Sequence, residues 1–178
     1  MKVGSEPSSG LTRLKAARHA ALRALHAINW LPPLLARLTV GLVFALTGWG
    51  KVHNLAKVTG FFTKLGIPHA AFMAGLVGYC ELICGVLVLV GLLTRLATIP
   101  LITTMIVALA TAQAGEIHDL PGLFGLIEFT YLALLVYLCV TGPGALSIDA
   151  LIAHAIERTR PGFGAPVRPS GRLEHRHA

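Results

Sequence analysis

Three ionisable side chains stand where an apolar sequence has least reason to carry them: Glu81 and Glu128, each inside a long hydrophobic run, and Lys51 at the end of another. A charge at the centre of a membrane helix costs at least about 2.5–3.5 kcal/mol on insertion scales, so it marks a site or a deliberate staple. At 1.5 Å per helical residue, Glu81 lies roughly 16 Å and Glu128 roughly 9 Å from the ends of their runs that share a level with Lys51. The Lys51 stem can reach toward either carboxylate, with His53 beside it. Gln113 ends a further run at that level, and Tyr131 follows Glu128 by about one turn. The expectation is one cavity open at the Lys51 end. In it Lys51, Glu81 and Glu128 are the catalytic candidates, and His53, Gln113 and Tyr131 the binding ones. A carboxylate in such a place can relay a proton. The same residues also suit an ion pair that pins helix register, and site and staple are not separable from sequence alone.

Other reactive groups point elsewhere. Cys80 and Cys84 are spaced i, i+4, which puts their Cβ atoms about 5–6 Å apart on a regular helix, whereas a disulfide wants about 3.5–4.5 Å. These two and Cys139 are expected to be packing residues. No His/Cys/carboxylate set has metal-ligand spacing, so no metal site is expected; the His-rich end of the chain, residues 174–178, reads as solvated. P-loop, dinucleotide fingerprint and HExxH motifs are all missing from the sequence.

The elements that must position these residues follow from composition. Of 178 residues 54% are hydrophobic and only 13% charged, against about 25% charged in an ordinary soluble domain. Charge is sparse between Leu38 and Gly142, so lipid is the expected solvent there. Four runs approach the roughly 20 apolar residues a helix needs to cross a bilayer: Leu34 to Gly50, Ala70 to Leu93, Leu96 to Ala114, and Gly122 to Thr141. All should be helices, because hydrocarbon leaves no unpaired backbone group without cost. With four crossings, twelve Lys and Arg residues fall on one side and three, Lys51, Lys57 and Lys64, on the other. The excess predicts both termini in the cytoplasm, with an outer loop from Val52 to His69 and a second, acidic one from Gly115 to Pro121. A net charge of +7 invites a nucleic-acid reading, but the basic residues flank an apolar middle and fit a membrane surface better. Residues 11–31 carry Leu11, Leu14, Leu22, Leu25 and Ile28 on one side of a helical wheel with Lys15, His19, Arg23 and His26 beside them. That suits a basic amphipathic helix lying on an anionic leaflet. The organisation is then an N-terminal arm and interfacial helix (1–31), an all-α transmembrane bundle (32–157), and an unstructured basic tail (158–178).

Within the spans, Gly41, Gly48, Gly75, Gly78, Gly85, Gly122 and Gly125 read as points of close helix approach. Arg37 opens the first span and Gly48-Trp49-Gly50-Lys51 closes it; Phe61-Phe62 and Leu65-Gly66-Ile67-Pro68 follow. Then come Glu81, Gly91-Leu92-Leu93-Thr94-Arg95, and Gly142-Pro143-Gly144-Ala145-Leu146-Ser147-Ile148-Asp149. In order and spacing this resembles the DoxX family of small four-helix membrane proteins, over roughly residues 34–152. The resemblance implies a left-handed four-helix bundle in the bacterial inner membrane and a link to respiratory-type redox chemistry. It supports Arg37, Lys51, Glu81, Thr94 and Arg95 as pattern positions. Ser147 and Asp149 read as a cap and turn, with Ser147 the N-cap of the stretch after it. The resulting expectation is a subunit of a membrane oxidoreductase complex whose cavity binds a quinone headgroup or a small acid. It would hold no covalent cofactor, and its electrons would come from a redox protein partner, with a homo-oligomer compatible. The rival readings are a non-enzymatic scaffold subunit and, third, a small-solute transporter.

Overall fold

In a membrane the backbone must satisfy its own hydrogen bonds within each segment, and the apolar runs have no alternative to helix. The computed structural model describes residues 9–159, and among them no strand occurs. Residues 1–8 of the expected N-terminal arm and 160–178 of the expected tail lie outside the described residues, while residues 158–159, expected at the start of the unstructured tail, are still helical. The helices are α1 (Ser9–Ala27), α2 (Leu31–His53), α3 (Leu55–Lys64), α4 (Ala70–Val90), α5 (Thr94–Thr111), α6 (Leu120–Gly125), α7 (Ile127–Thr141) and α8 (Ile148–Thr159). The stretch containing α2, together with α4 and α5, is long and apolar enough to cross a membrane; α7 is a shorter apolar helix.

Four apolar helices close a ring: α2 packs on α4, α4 on α5, α5 on α7, and α7 on α2. Val40, Phe44, Val88, Leu101, Leu135 and Leu138 fill its centre. Leu35, Leu42, Leu46, Leu76, Ile83, Ile99, Ile106 and Val140 face outward. Large apolar side chains outside, with Arg37, Glu81, Thr94 and Thr98 buried inside, invert the soluble pattern and suit a lipid solvent.

The α2–α4 seam is set by glycines. A Cβ on Gly48 would stand 2.3 Å from the Leu82 nitrogen, one on Gly85 2.4 Å from that of Ala45, and one on Gly41 2.7 Å from that of Leu89. No side chain larger than hydrogen fits, and this close approach is what lets a lysine of α2 reach a glutamate of α4. Gly75 and Gly125, by contrast, meet nothing within 4 Å, so the small-residue reading holds for the seam and not for them.

Three expectations need correction. The stretch from Val52 to His69 is not simply a loop, because α3 lies within it and packs on α4. Leu55, Val58, Phe62 and Leu65 recur at helical spacing, a signal strong enough to have been read. The last apolar run is not continuous either: Leu126 takes an extended conformation (φ −75°, ψ 133°) and separates α6 from α7. Finally, α4 stops at Val90 rather than Leu93. Gly91 is left-handed (φ 74°), and its N–H returns to the Leu87 and Val88 carbonyls, the usual way a glycine ends a helix.

Candidate functional site

Lys51 sits near the C-terminal end of α2, and Glu81 lies midway along α4, 1% exposed. The Lys51 ammonium lies 2.5 Å from each oxygen of the Glu81 carboxylate. Thr47, one turn before Lys51, donates to Glu81 Oε2 at 3.2 Å. A buried carboxylate with an ammonium on both oxygens and a hydroxyl on one is well satisfied, and the arrangement locks α2 to α4. The candidate site residues Lys51 and Glu81 are at the same time a staple between α2 and α4.

The pair has space on two sides. Toward α5 it borders a cavity of about 660 Å³ walled by α3, α4 and α5, within the roughly 300–1,000 Å³ typical of small-molecule sites. Its walls are apolar apart from the pair, Lys57 and a few threonines; Phe62, Met73, Val77, Cys80, Met105 and Ala108 are characteristic. Thr104 and Thr111 spend their hydroxyls on carbonyls of their own helix, so the polar end of the cavity is the Lys51–Glu81 end. Phe61, Leu76 and Val107 on its rim are about half exposed, which opens it toward the outer face of the bundle. On the other side lies a more open cleft of about 390 Å³, more polar than the cavity, lined by Thr47, Gly50, Lys51, Asn54, Lys57 and Val58.

The remaining expected residues do not join this cavity. Glu128 accepts from Gln113 at 2.7 Å, bridging the end of α5 to the start of α7. Because the helix restarts at Ile127, Glu128 is in the first turn of α7, where unpaired N–H groups and the positive end of the helix dipole favour a carboxylate. The break turns an apparent mid-membrane charge into a helix-terminus charge. Tyr131 packs edge-on to Phe44, ring centroids 6.2 Å apart. His53 is exposed, its Nδ1 2.9 Å from the Trp49 carbonyl oxygen. Residues missed by sequence reasoning are Thr47, one helical turn from Lys51, and Lys57, which the helical pattern of α3 could have flagged.

At the opposite end of the bundle the other pattern residues converge. Arg37, 2% exposed, donates through Nη2 to the Leu146 carbonyl, while its Nε and Nη1 have no hydrogen-bond partner. Asp149 accepts from the N–H groups of Leu93 (3.0 Å) and Thr94 (3.4 Å), and its own N–H donates to the Gly91 carbonyl at 3.0 Å. Asp149 therefore caps α5, a helix 55 residues earlier, rather than its own; Leu93 needs that help, because its φ of 50° is costly for a residue with a Cβ. Ser147 accepts from the Ala150 N–H at 3.1 Å and caps α8 as expected. Arg95 donates to the Val140 carbonyl at 3.3 Å. The segments 91–95 and 142–149 are thus two halves of one clasp, and Arg37 ties α2 to it. Cys80, Cys84 and Cys139 are free thiols.

Comparison with known proteins gives consistent matches. Residues 33–114 fit the DoxX family model. An uncharacterized membrane protein of Mycobacterium tuberculosis is 38% identical over 138 residues, covering 71% of this chain and 85% of that protein. CatD of Bacillus subtilis, provisionally named an oxidoreductase, is 34% identical across 67% of this chain and 85% of its own length. The inner membrane protein YqjF of Escherichia coli is 34% identical, covering 67% of this chain and 90% of that one. No solved structure matches significantly.

Proposed function

The chain belongs to the DoxX family of integral membrane proteins, and on that premise we propose that it is a redox-associated subunit whose α3–α4–α5 cavity receives a quinone headgroup or a comparable small acid. The observation that carries this reading is the pairing of an apolar cavity of about 660 Å³ with one buried ion pair at its polar end. An apolar ligand from the bilayer would enter past Phe61, Leu76 and Val107. Lys51 donates a hydrogen bond to the ligand carbonyl. As a quinone takes up two electrons it also takes up two protons, and Glu81, its pairing with Lys51 loosened, accepts each proton from water of the adjoining cleft before passing it to a quinone oxygen. The electrons come from a partner protein. The provisional oxidoreductase name of CatD agrees with this direction.

The accompanying topology has four crossings: α2, α4, α5, and α6 with α7 taken together. The Lys51 end faces outward, both termini lie in the cytoplasm, and α1 rests on the inner leaflet. The location is the bacterial inner membrane, in line with the name of the Escherichia coli relative.

A second reading, a scaffold subunit that holds partner proteins, is favoured by the pairing of Glu81: Lys51 bridges both of its oxygens and Thr47 meets one, which ties α2 to α4 without a ligand. Glu81→Gln in native membranes separates the two, with quinone reduction by the intact complex and the amount of inserted protein measured together. Loss of turnover at unchanged abundance supports the redox reading. Unchanged turnover per molecule with reduced complex yield assigns the pair to assembly.

A further inference from the structure

The apolar cavity and the polar cleft share three lining residues, Lys51, Lys57 and Val58. They meet at a line where apolar wall gives way to ammonium, amide and hydroxyl groups. Their charges do not cancel. Lys51 is neutralised by Glu81, but Lys57, exposed on α3, has no carboxylate within ion-pair distance; the ion pairs among the described residues are Lys51–Glu81 and His154–Glu157. No acidic residue lines the cleft at all. The junction therefore carries one uncompensated positive charge at the polar end of an apolar chamber.

From this we infer that cavity and cleft form one site for a single-chain amphiphile with an anionic head, its chain lying among α3, α4 and α5 and its carboxylate or phosphate against Lys57. This rests on the reading of the cavity as a ligand site and names the ligand class within it. A neutral quinone uses the cavity and Lys51; an acid uses Lys57 as well. The cavity volume of about 660 Å³ is of the size that takes one drug-sized molecule, which favours one chain over a two-chain phospholipid. Electrostatic selection of this kind acts more on which ligand is accepted than on raw affinity.

The test uses the full-length protein in phosphatidylcholine nanodiscs with a photoreactive diazirine fatty acid as the probe. Labelled peptides are mapped, and oleate, oleyl alcohol, lysophosphatidylglycerol, phosphatidylglycerol and neutral decylubiquinone serve as competitors. Labelling is expected on α3, α4 and α5. Oleate and lysophosphatidylglycerol should compete better than oleyl alcohol, and two-chain phosphatidylglycerol poorly. Lys57→Gln should reduce the preference for acid over alcohol by up to about fivefold, the limit for one solvent-screened ion pair, while Lys57→Arg keeps it. If decylubiquinone competes but acid and alcohol are equivalent in the wild type and in Lys57→Gln, the acid selectivity is wrong and the cavity reading survives. If no competitor reduces labelling, both fall.

Discussion

Replacing Lys51 with Met would leave the Glu81 carboxylate, 1% exposed, with one hydroxyl from Thr47 as its remaining side-chain partner. Removing one member of a buried pair costs about 3–5 kcal/mol, chiefly because the other charge is left uncompensated. The lower figure applies here, since the Lys51 side chain is 30% exposed and the adjoining cleft can supply water. For a chain of this size about 3 kcal/mol corresponds to a fall in Tm of roughly 6–12 °C. Glu81→Gln is predicted to behave differently. It leaves the partly exposed ammonium, which can turn into the cleft, and keeps a side chain that Thr47 can still bond, so its cost should stay below about 1 kcal/mol, the range of one neutral hydrogen bond. The double variant Lys51→Met/Glu81→Gln should recover most of the loss. Thermal unfolding of the four proteins in one mild detergent measures all of this. A Lys51→Met protein within about 2 °C of wild type, a change worth about 1 kcal/mol or less, would refute the buried-charge argument, as would Glu81→Gln proving equally unstable.

Other perturbations probe the remaining geometry. Gly48→Ala places a Cβ against backbone at 2.3 Å and should cost at least about 1–3 kcal/mol, seen as lost yield of folded protein, whereas Gly75→Ala, with nothing within 4 Å, should be close to neutral. Asp149→Ala removes the cap on α5 and should destabilise by about 1 kcal/mol. Hydrogen exchange is expected to rise at Leu93 and Thr94, and protection there at the wild-type level would argue against the clasp. A lipophilic maleimide should label Cys80, which lines the cavity, and a bound ligand should slow that labelling; equal rates with and without ligand would place the ligand elsewhere. Glu128→Gln should leave ligand labelling of the cavity unchanged, since Glu128 pairs with Gln113 and neither lines the cavity.

Much of this was legible in the sequence, and the limits have physical causes. The apolar runs and Arg37, Lys51 and Glu81 could be read because a charge among hydrophobic residues is conspicuous and lipid permits only helix. Level alone left both glutamates as partners for Lys51; the choice of Glu81 is set by the close α2–α4 seam. The place of Glu128 in the first turn of α7 was not legible, because hydropathy does not register a helix break: Leu126 is as apolar as its neighbours, and only its backbone angles separate α6 from α7. Helix α3 has only ten residues, too short to register as an apolar run, and its signal is the helical spacing of Leu55, Val58, Phe62 and Leu65 alone. Asp149 stands in the first turn of α8 as its position after Ser147 suggests, but its second role, capping α5 across 55 residues, is a tertiary fact with no local signature. Splitting the expected single cavity into a Lys51–Glu81 site and a separate Gln113–Glu128 bridge likewise depended on helix rotation, which sequence spacing does not fix.

The central claim is that the α3–α4–α5 cavity, with Lys51 and Glu81 at its polar end, receives a lipophilic ligand of quinone type. A photoreactive quinone analogue, cross-linked to the protein in native membranes and mapped by mass spectrometry, tests it directly. The account predicts adducts concentrated on cavity residues such as Phe62, Met73 and Met105, suppressed by excess unlabelled quinone. Adducts spread over the outward faces of α2 and α7, indifferent to that competition, would contradict it.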